Sequence, residues 1–154
     1  MSDDDPQQRL ELYRLYLATA ERVSDRRAAA NTWMLSVNAA VIGLYGYLGG
    51  DRAPVPPADR WLWFLVIPVV GILLCLSWAG LLASYRKLNA AKFEVLKEME
   101  RDFPLSVFTR EQEIYRASSR RTLGGTEQTI PAIFAALYAG LLIFRTVGEV
   151  WTGG

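Results

Sequence analysis

Histidine is absent from this 154-residue chain, and Cys75 is its only cysteine. A single cysteine excludes an intrachain disulfide, and the lack of histidine excludes metal sites of the Cys–His type. The formal net charge is only +1, so the chain lacks the basic field that attracts nucleic acid. A glycine-rich phosphate loop and a nucleophile–base pair are also missing. We therefore expect no cofactor, no metal, no nucleic-acid partner and no enzymatic activity.

The first eight residues are acidic and polar. A cleavable signal peptide has a basic start and an apolar centre, which this segment does not have. We expect the first apolar segment to direct the chain to a membrane.

Apolar residues make up 51% of the chain, and most of them fall into three long runs. The first run, 28–48, has no charge, and as a helix it would extend roughly 31 Å, about the thickness of a bilayer core. The others are 61–84, which contains Pro68, and 130–150, which begins near Pro131. The sequence predicts one all-α membrane domain over 1–154 with three transmembrane helices.

Polar, amphipathic segments flank these runs. Because no breaker separates the segment from about residue 6 to the first run, we expect one long helix over 6–48. Residues 85–128 are predicted to form a cytoplasmic helical hairpin. Its first helix continues the second span and ends at Pro104. Its second begins at a capping-box pattern, Thr109 with Gln112, and runs to about residue 121. Gly124 and Gly125 are expected to break the chain before the third span.

The apolar stripe of the first hairpin helix follows helical spacing. Its members are Leu88, Ala91, Val95, Met99 and Phe103. The carboxylates of this region are expected to lie on the solvated side of the helix, with no shifted pKa. They are Glu94, Glu98, Glu100 and Asp102.

Basic residues predict the orientation. Five lie in residues 1–27 and nine in residues 85–128, whereas the loop between the first two runs has only Arg52 and Arg60. By the positive-inside rule the N-terminus and 85–128 are cytoplasmic, and the C-terminus is outside. Six of these residues form a collar expected to fix topology and to contact anionic lipid head groups. They are Arg26, Arg27, Arg86, Lys87, Arg120 and Arg121.

Three polar residues, Asn31, Ser36 and Asn38, interrupt the first run. Asn31 and Asn38 are seven residues apart and share one helix face, which fits either hydrogen bonding between helices or the lining of a wet pore. In the third run, Arg145 is expected to lie on the same face as Glu149. This pair fits an anchor at the outer interface or a charge at a subunit interface.

Small residues recur at four-residue spacing in all three runs and predict close helix packing, within the subunit and between subunits. The selected positions are Ala39, Gly43, Gly80, Ser84, Ala132, Ala136 and Gly140.

Two stretches carry a resemblance to a known family. The first has Ser24-Asp25-Arg26-Arg27, Ala30-Asn31 and Leu35-Ser36-Val37-Asn38-Ala39, and the second has Leu88-Asn89, Ala91-Lys92-Phe93, Glu100 and Pro104. In this order they resemble the RipA-like family of small octameric bacterial inner-membrane proteins. The resemblance implies a homo-octameric membrane assembly with a helical cytoplasmic portion.

Three functional hypotheses follow. The first is a scaffold, a ring of three-span subunits with a cytoplasmic helical collar. The second is a pore-forming or membrane-perturbing effector, similar to the two-span helical effectors (SLATT type) of bacterial conflict systems. It is motivated by the Asn31/Asn38 face and by Pro68 as a hinge. The third is a small sensor or adaptor whose collar binds a soluble partner.

Overall fold

The computed structural model describes residues 6–50, 53–101, 103–118 and 123–152. Within these ranges the chain is all-helical, with no strand. Its α-helices are α1 (Pro6–Gly49), α2 (Arg60–Glu100), α3 (Val107–Ser118) and α4 (Leu123–Thr152). A short 3-10 turn, Pro57–Asp59, precedes α2.

Two of the described helices contain segments long and apolar enough to cross a membrane, Arg60–Glu100 and Gln128–Gly148. The predicted first span, 28–48 in α1, does not reach the same hydropathy. Asn31, Ser36 and Asn38 lower its mean hydropathy although it carries no charge. Length and composition alone therefore support two membrane-crossing helices in the described chain.

The chain divides into two compact units. The first comprises residues 1–29 and 83–125, and its described part contains the start of α1, the end of α2 and α3. Its buried side chains include Ala20, Leu96 and Glu100. The second comprises 30–82 and 126–154, and its described core includes Trp78 and Tyr138.

The buried face at the end of α2 lies one position away from the predicted stripe. Leu88 and Val95 are exposed, whereas Asn89, Leu96 and Glu100 are buried. These three share a helix face because they are seven and four residues apart. The apolar spacing selected the neighbouring face because it gave no weight to polar residues that are buried, such as Glu100, whose carboxylate bonds inside the protein.

Two helix starts also differ from the prediction. Helix α3 begins at Val107 and not at Thr109. Helix α4 begins at Leu123, so Gly124 and Gly125 lie inside it and Pro131 is beyond its first turn. A glycine costs a helix interior only about 1 kcal/mol, which weakens a helix without ending it.

Candidate functional site

A polar junction lies in the second unit, where three helices meet at Asn38. The Asn38 side chain is fully buried, and its Nδ2 donates a hydrogen bond to the Met34 carbonyl at 2.8 Å. Its Oδ1 accepts a hydrogen bond from Cys75 Sγ at 3.4 Å, and its backbone carbonyl accepts one from the Tyr138 hydroxyl at 3.2 Å. Residues of α1, α2 and α4 are thereby joined at one point by internal hydrogen bonds.

The Tyr138 ring packs directly on the backbone of α2 at Gly71. A Cβ built on Gly71 would lie 2.5 Å from Tyr138 Cζ, closer than side chains approach one another. Only glycine therefore leaves room for this ring. The sequence analysis did not select Gly71 or Tyr138. No pattern among neighbouring residues indicates that a glycine packs against an aromatic ring of another helix.

The other two polar residues of α1 have different surroundings. Ser36 is exposed, and its hydroxyl donates to the carbonyl of Thr32, four residues earlier, at 3.0 Å. Asn31 is half-buried, and its buried Oδ1 has no hydrogen-bond partner among the described residues. Asn31 and Asn38 are therefore not equivalent, although they lie on one helix face.

The selected small residues do not mediate packing within the described subunit. All seven are exposed, namely Ala39, Gly43, Gly80, Ser84, Ala132, Ala136 and Gly140. A Cβ added at Gly43, Gly80 or Gly140 would meet no atom within 4 Å. The expectation of close packing inside the subunit is wrong at these positions, because α1, α2 and α4 turn other faces to one another. Packing between subunits stays a prediction.

Arg145 in α4 lies over the ring of Phe64 in α2, with 4.6 Å from guanidinium carbon to ring centroid. This is a cation–π contact. Its expected neighbour Glu149 is within α4, but the Glu149 side chain lies outside the described part. A sequence pattern confined to one helix could not identify Phe64, which comes from another.

The first unit contains a buried carboxylate, Glu100, at the end of α2. The residue is only 1% exposed and accepts four hydrogen bonds. Oε1 accepts from the Phe108 backbone N–H at 2.6 Å and from the Tyr13 hydroxyl at 3.0 Å. Oε2 accepts from the backbone N–H and from the hydroxyl of Thr109, both at 2.8 Å.

Glu100 acts as the N-terminal cap of α3. Phe108 and Thr109 belong to its first turn, where backbone N–H groups lack partners within the helix and the helix dipole favours negative charge. Burial alone raises the pKa of Glu100, but the hydrogen bonds from Thr109, Phe108 and Tyr13 outweigh burial and lower that pKa below its ordinary value. The expectation that Glu100 is solvated is therefore wrong.

Tyr13 and Phe103 complete this cluster. Their ring centroids are 5.3 Å apart. Burial, the hydrogen bond to Glu100 and the charge of Glu100 all raise the pKa of Tyr13. The sequence contained a weak signal for Glu100, since it stands four residues after Leu96 and four before Pro104, where the helix was expected to end.

A second contact joins α1 and α2 in the same unit. Lys92 Nζ donates to the Thr19 hydroxyl at 3.0 Å and lies 4.8 Å from the centroid of the Tyr16 ring. The charged group of Lys92 therefore makes its contacts within the subunit.

The predicted basic collar is only partly within the described chain. Arg26, Arg86 and Lys87 are exposed, and Arg27 is half-buried. Arg120 and Arg121 lie outside the described residues.

The described residues contain no group of three or more Cys, Asp or Glu side chains arranged to hold a metal ion. In both polar clusters, the donors and acceptors described above bond to one another.

Comparison with known proteins identifies a family. The sequence model of the Octameric membrane protein family (8xMP) matches residues 10–147, nearly the whole chain. No curated protein and no solved structure matches it.

Proposed function

Because the chain belongs to the Octameric membrane protein family (8xMP), we propose that this homo-oligomeric membrane protein is a non-enzymatic scaffold of the bacterial inner membrane. The match shows membership of an octameric membrane protein family, and the narrower RipA-like name remains a resemblance. The scaffold role, the ring and the three spans are the proposal.

The observation that favours a scaffold over a channel is the burial of Asn38. A pore-lining amide must present its polar atoms to water, but both side-chain polar atoms of Asn38 bond within the subunit. Its backbone carbonyl is also bonded, to Tyr138. These bonds favour the helix-joining interpretation of Asn38 over the pore-lining one.

We propose spans at 28–48, 61–84 and 130–150, with the N-terminus and residues 85–128 in the cytoplasm. The distribution of basic residues supports this orientation. Labelling of single cysteines in intact cells tests it, in a Cys75→Ser background. A membrane-impermeant maleimide should label Asp59→Cys in intact cells and Ala117→Cys only after lysis, because both positions are exposed in the described chain. The reverse pattern would contradict the topology.

The assembly itself is tested by native mass spectrometry of the full chain in mild detergent. We expect an octamer that persists at low protein concentration. The scaffold role predicts in addition that liposomes containing this octamer release a small trapped dye no faster than empty liposomes. Monomers alone would contradict the proposal, and rapid release would favour the channel.

One observation favours the channel as a second candidate. Asn31 Oδ1 is unpartnered within the described chain, and Ser36 is exposed. Across an oligomer, these groups could line a wet path. The channel predicts dye release that Asn31→Leu abolishes and that Ala40→Leu, at an exposed apolar position on the same helix, leaves intact.

Two partner classes complete the proposal. The exposed Arg26, Arg86 and Lys87 are placed by sequence at the cytoplasmic surface, where each basic residue contributes about 1 kcal/mol of attraction to anionic lipid. Neutralising all three should reduce co-purified anionic lipid, as measured by mass spectrometry. A soluble partner remains a third hypothesis, tested by pull-down with the intact oligomer.

A further inference from the structure

An apolar groove lies beside the Glu100 cluster in the first unit. It has a volume of about 370 Å³ and lies between the start of α1 and the segment that joins α2 to α3. Its apolar walls are Leu10, Tyr13, Leu17, Phe103, Leu105 and Val107. Leu105 is 75% exposed and Val107 is 66% exposed, so this wall is uncovered in the subunit.

The polar groups in this groove are already occupied. Glu100 is 1% exposed and bonds to four donors, one of which is the Tyr13 hydroxyl. Because the carboxylate is covered, a charged or strongly polar ligand would find no partner in the groove. The groove therefore selects an apolar occupant.

A second apolar surface lies on the other side of α1. Leu12 is 52% exposed and Leu15 is 64% exposed. At 3.6 residues per turn, the direction of Leu12 and Leu15 is roughly 160° from that of Leu10, Tyr13 and Leu17. The helix thus presents apolar side chains on two opposed faces, with Glu11 and Arg14 exposed beside them.

Two opposed and different apolar surfaces fit a head-to-tail contact between copies. A cyclic octamer, the ring of the proposed function, needs such a heterologous interface, in which one patch of each subunit meets a different patch of the next. Lipid is an unsuitable cover, because Leu15 lies 13 residues before the proposed first span, roughly 20 Å along α1 from the hydrocarbon core.

We propose that Leu12 and Leu15 of one subunit insert into the groove at Leu105 and Val107 of the next, so that this contact links the subunits of the octamer. The proposal rests on the proposed function, since it requires a homo-oligomer. Its occupant is a second copy of this chain.

Cysteine cross-linking tests the contact in the full-length protein in membranes. In a Cys75→Ser background, oxidation of the double variant Leu15→Cys/Val107→Cys should give a ladder extending up to eight subunits on a non-reducing gel. Each single variant should remain uncross-linked, and a mixture of the two should stop at dimers. The matched control is Leu15→Cys/Lys87→Cys, because Lys87 is exposed and roughly 20 Å along α2 from Glu100.

Disruption provides a second measurement. Leu15→Asp should abolish the octamer in native mass spectrometry, while Leu88→Asp should preserve it, because Leu88 is an exposed leucine of the same unit outside both patches. Circular dichroism is the control for folding, and both variants should remain as helical as the wild type.

These experiments distinguish failure of the proposed function from failure of the proposed contact. A wild-type chain that is monomeric would overturn the proposed function itself. An octameric wild type in which the Leu15/Val107 pair gives no ladder, or in which the Lys87 control cross-links equally well, would overturn only this contact. A dimer from Leu15→Cys alone would indicate a symmetric interface and would also overturn it.

Discussion

Replacement of Glu100 by glutamine should loosen α3 while keeping the side chain's size. The carboxylate offers Oε1 to Phe108 and Tyr13 and Oε2 to Thr109. A glutamine has one oxygen and one NH₂ group. In either orientation, therefore, one backbone N–H of the first turn of α3 loses its acceptor, whereas the hydroxyl beside the NH₂ can rotate to accept from it.

The magnitude follows from the chemistry of that one bond. A hydrogen bond to a charged group contributes about 1.5–3 kcal/mol, and relief from burying a charge offsets part of its loss. We expect α3 to lose about 2 kcal/mol of local stability. At about 1.4 kcal/mol per factor of ten, this corresponds to a roughly 30-fold larger population of the opened helix.

Hydrogen–deuterium exchange with mass spectrometry measures this effect on peptides covering Val107–Ser118. The matched control is Glu98→Gln, the same substitution at an exposed position two residues earlier in α2. Exchange in α3 should rise in Glu100→Gln and stay at the wild-type level in Glu98→Gln. Equal exchange in the two variants would refute the assignment of Glu100 as the cap of α3.

Three other predictions concern the same two clusters. Because hydrogen bonds lower the pKa of Glu100, its contribution to stability is complete above the ordinary pKa of glutamate and is lost as the pH falls through the lowered value. The difference between the wild-type and Glu100→Gln denaturation midpoints in SDS should therefore shrink on acidification. Gly71→Ala should destabilise by about 1–3 kcal/mol because its methyl group meets the Tyr138 ring, whereas Gly80→Ala, with open space around it, should be neutral or slightly stabilising. Tyr138→Phe should lower the free energy of unfolding in SDS by about 1 kcal/mol through loss of the hydrogen bond to the Asn38 carbonyl.

The sequence was informative where a property depends on neighbours along the chain. The absence of a breaker predicts one helix over 6–48, and the structure has α1 at Pro6–Gly49. Likewise, the second apolar run leads without interruption into its polar extension, and α2 runs over Arg60–Glu100. Helix α2 continues through Pro68. The proline removes one backbone hydrogen bond of the helix but leaves the apolar surface around it in place.

The candidate site was predicted less well, because its key residues act across helices. Small residues at four-residue spacing were predicted to allow close helix packing. The glycine that another helix contacts closely is instead Gly71, against which the Tyr138 ring of α4 packs. Asn38 was selected from its polar character, but the structure was needed to distinguish a helix-joining amide from a pore-lining one.

By itself, the sequence determined the helical class, the long uninterrupted helices, the exclusion of Cys–His metal sites and the asymmetry of basic charge, because these follow from composition and local periodicity. The tertiary structure alone decided which faces of those helices are buried. It showed that Glu100 is a buried cap and that the small-residue ladders lie on the subunit's surface. The physical reason is that burial depends on which side chains from distant segments arrive at a face, and helical periodicity contains no information about them.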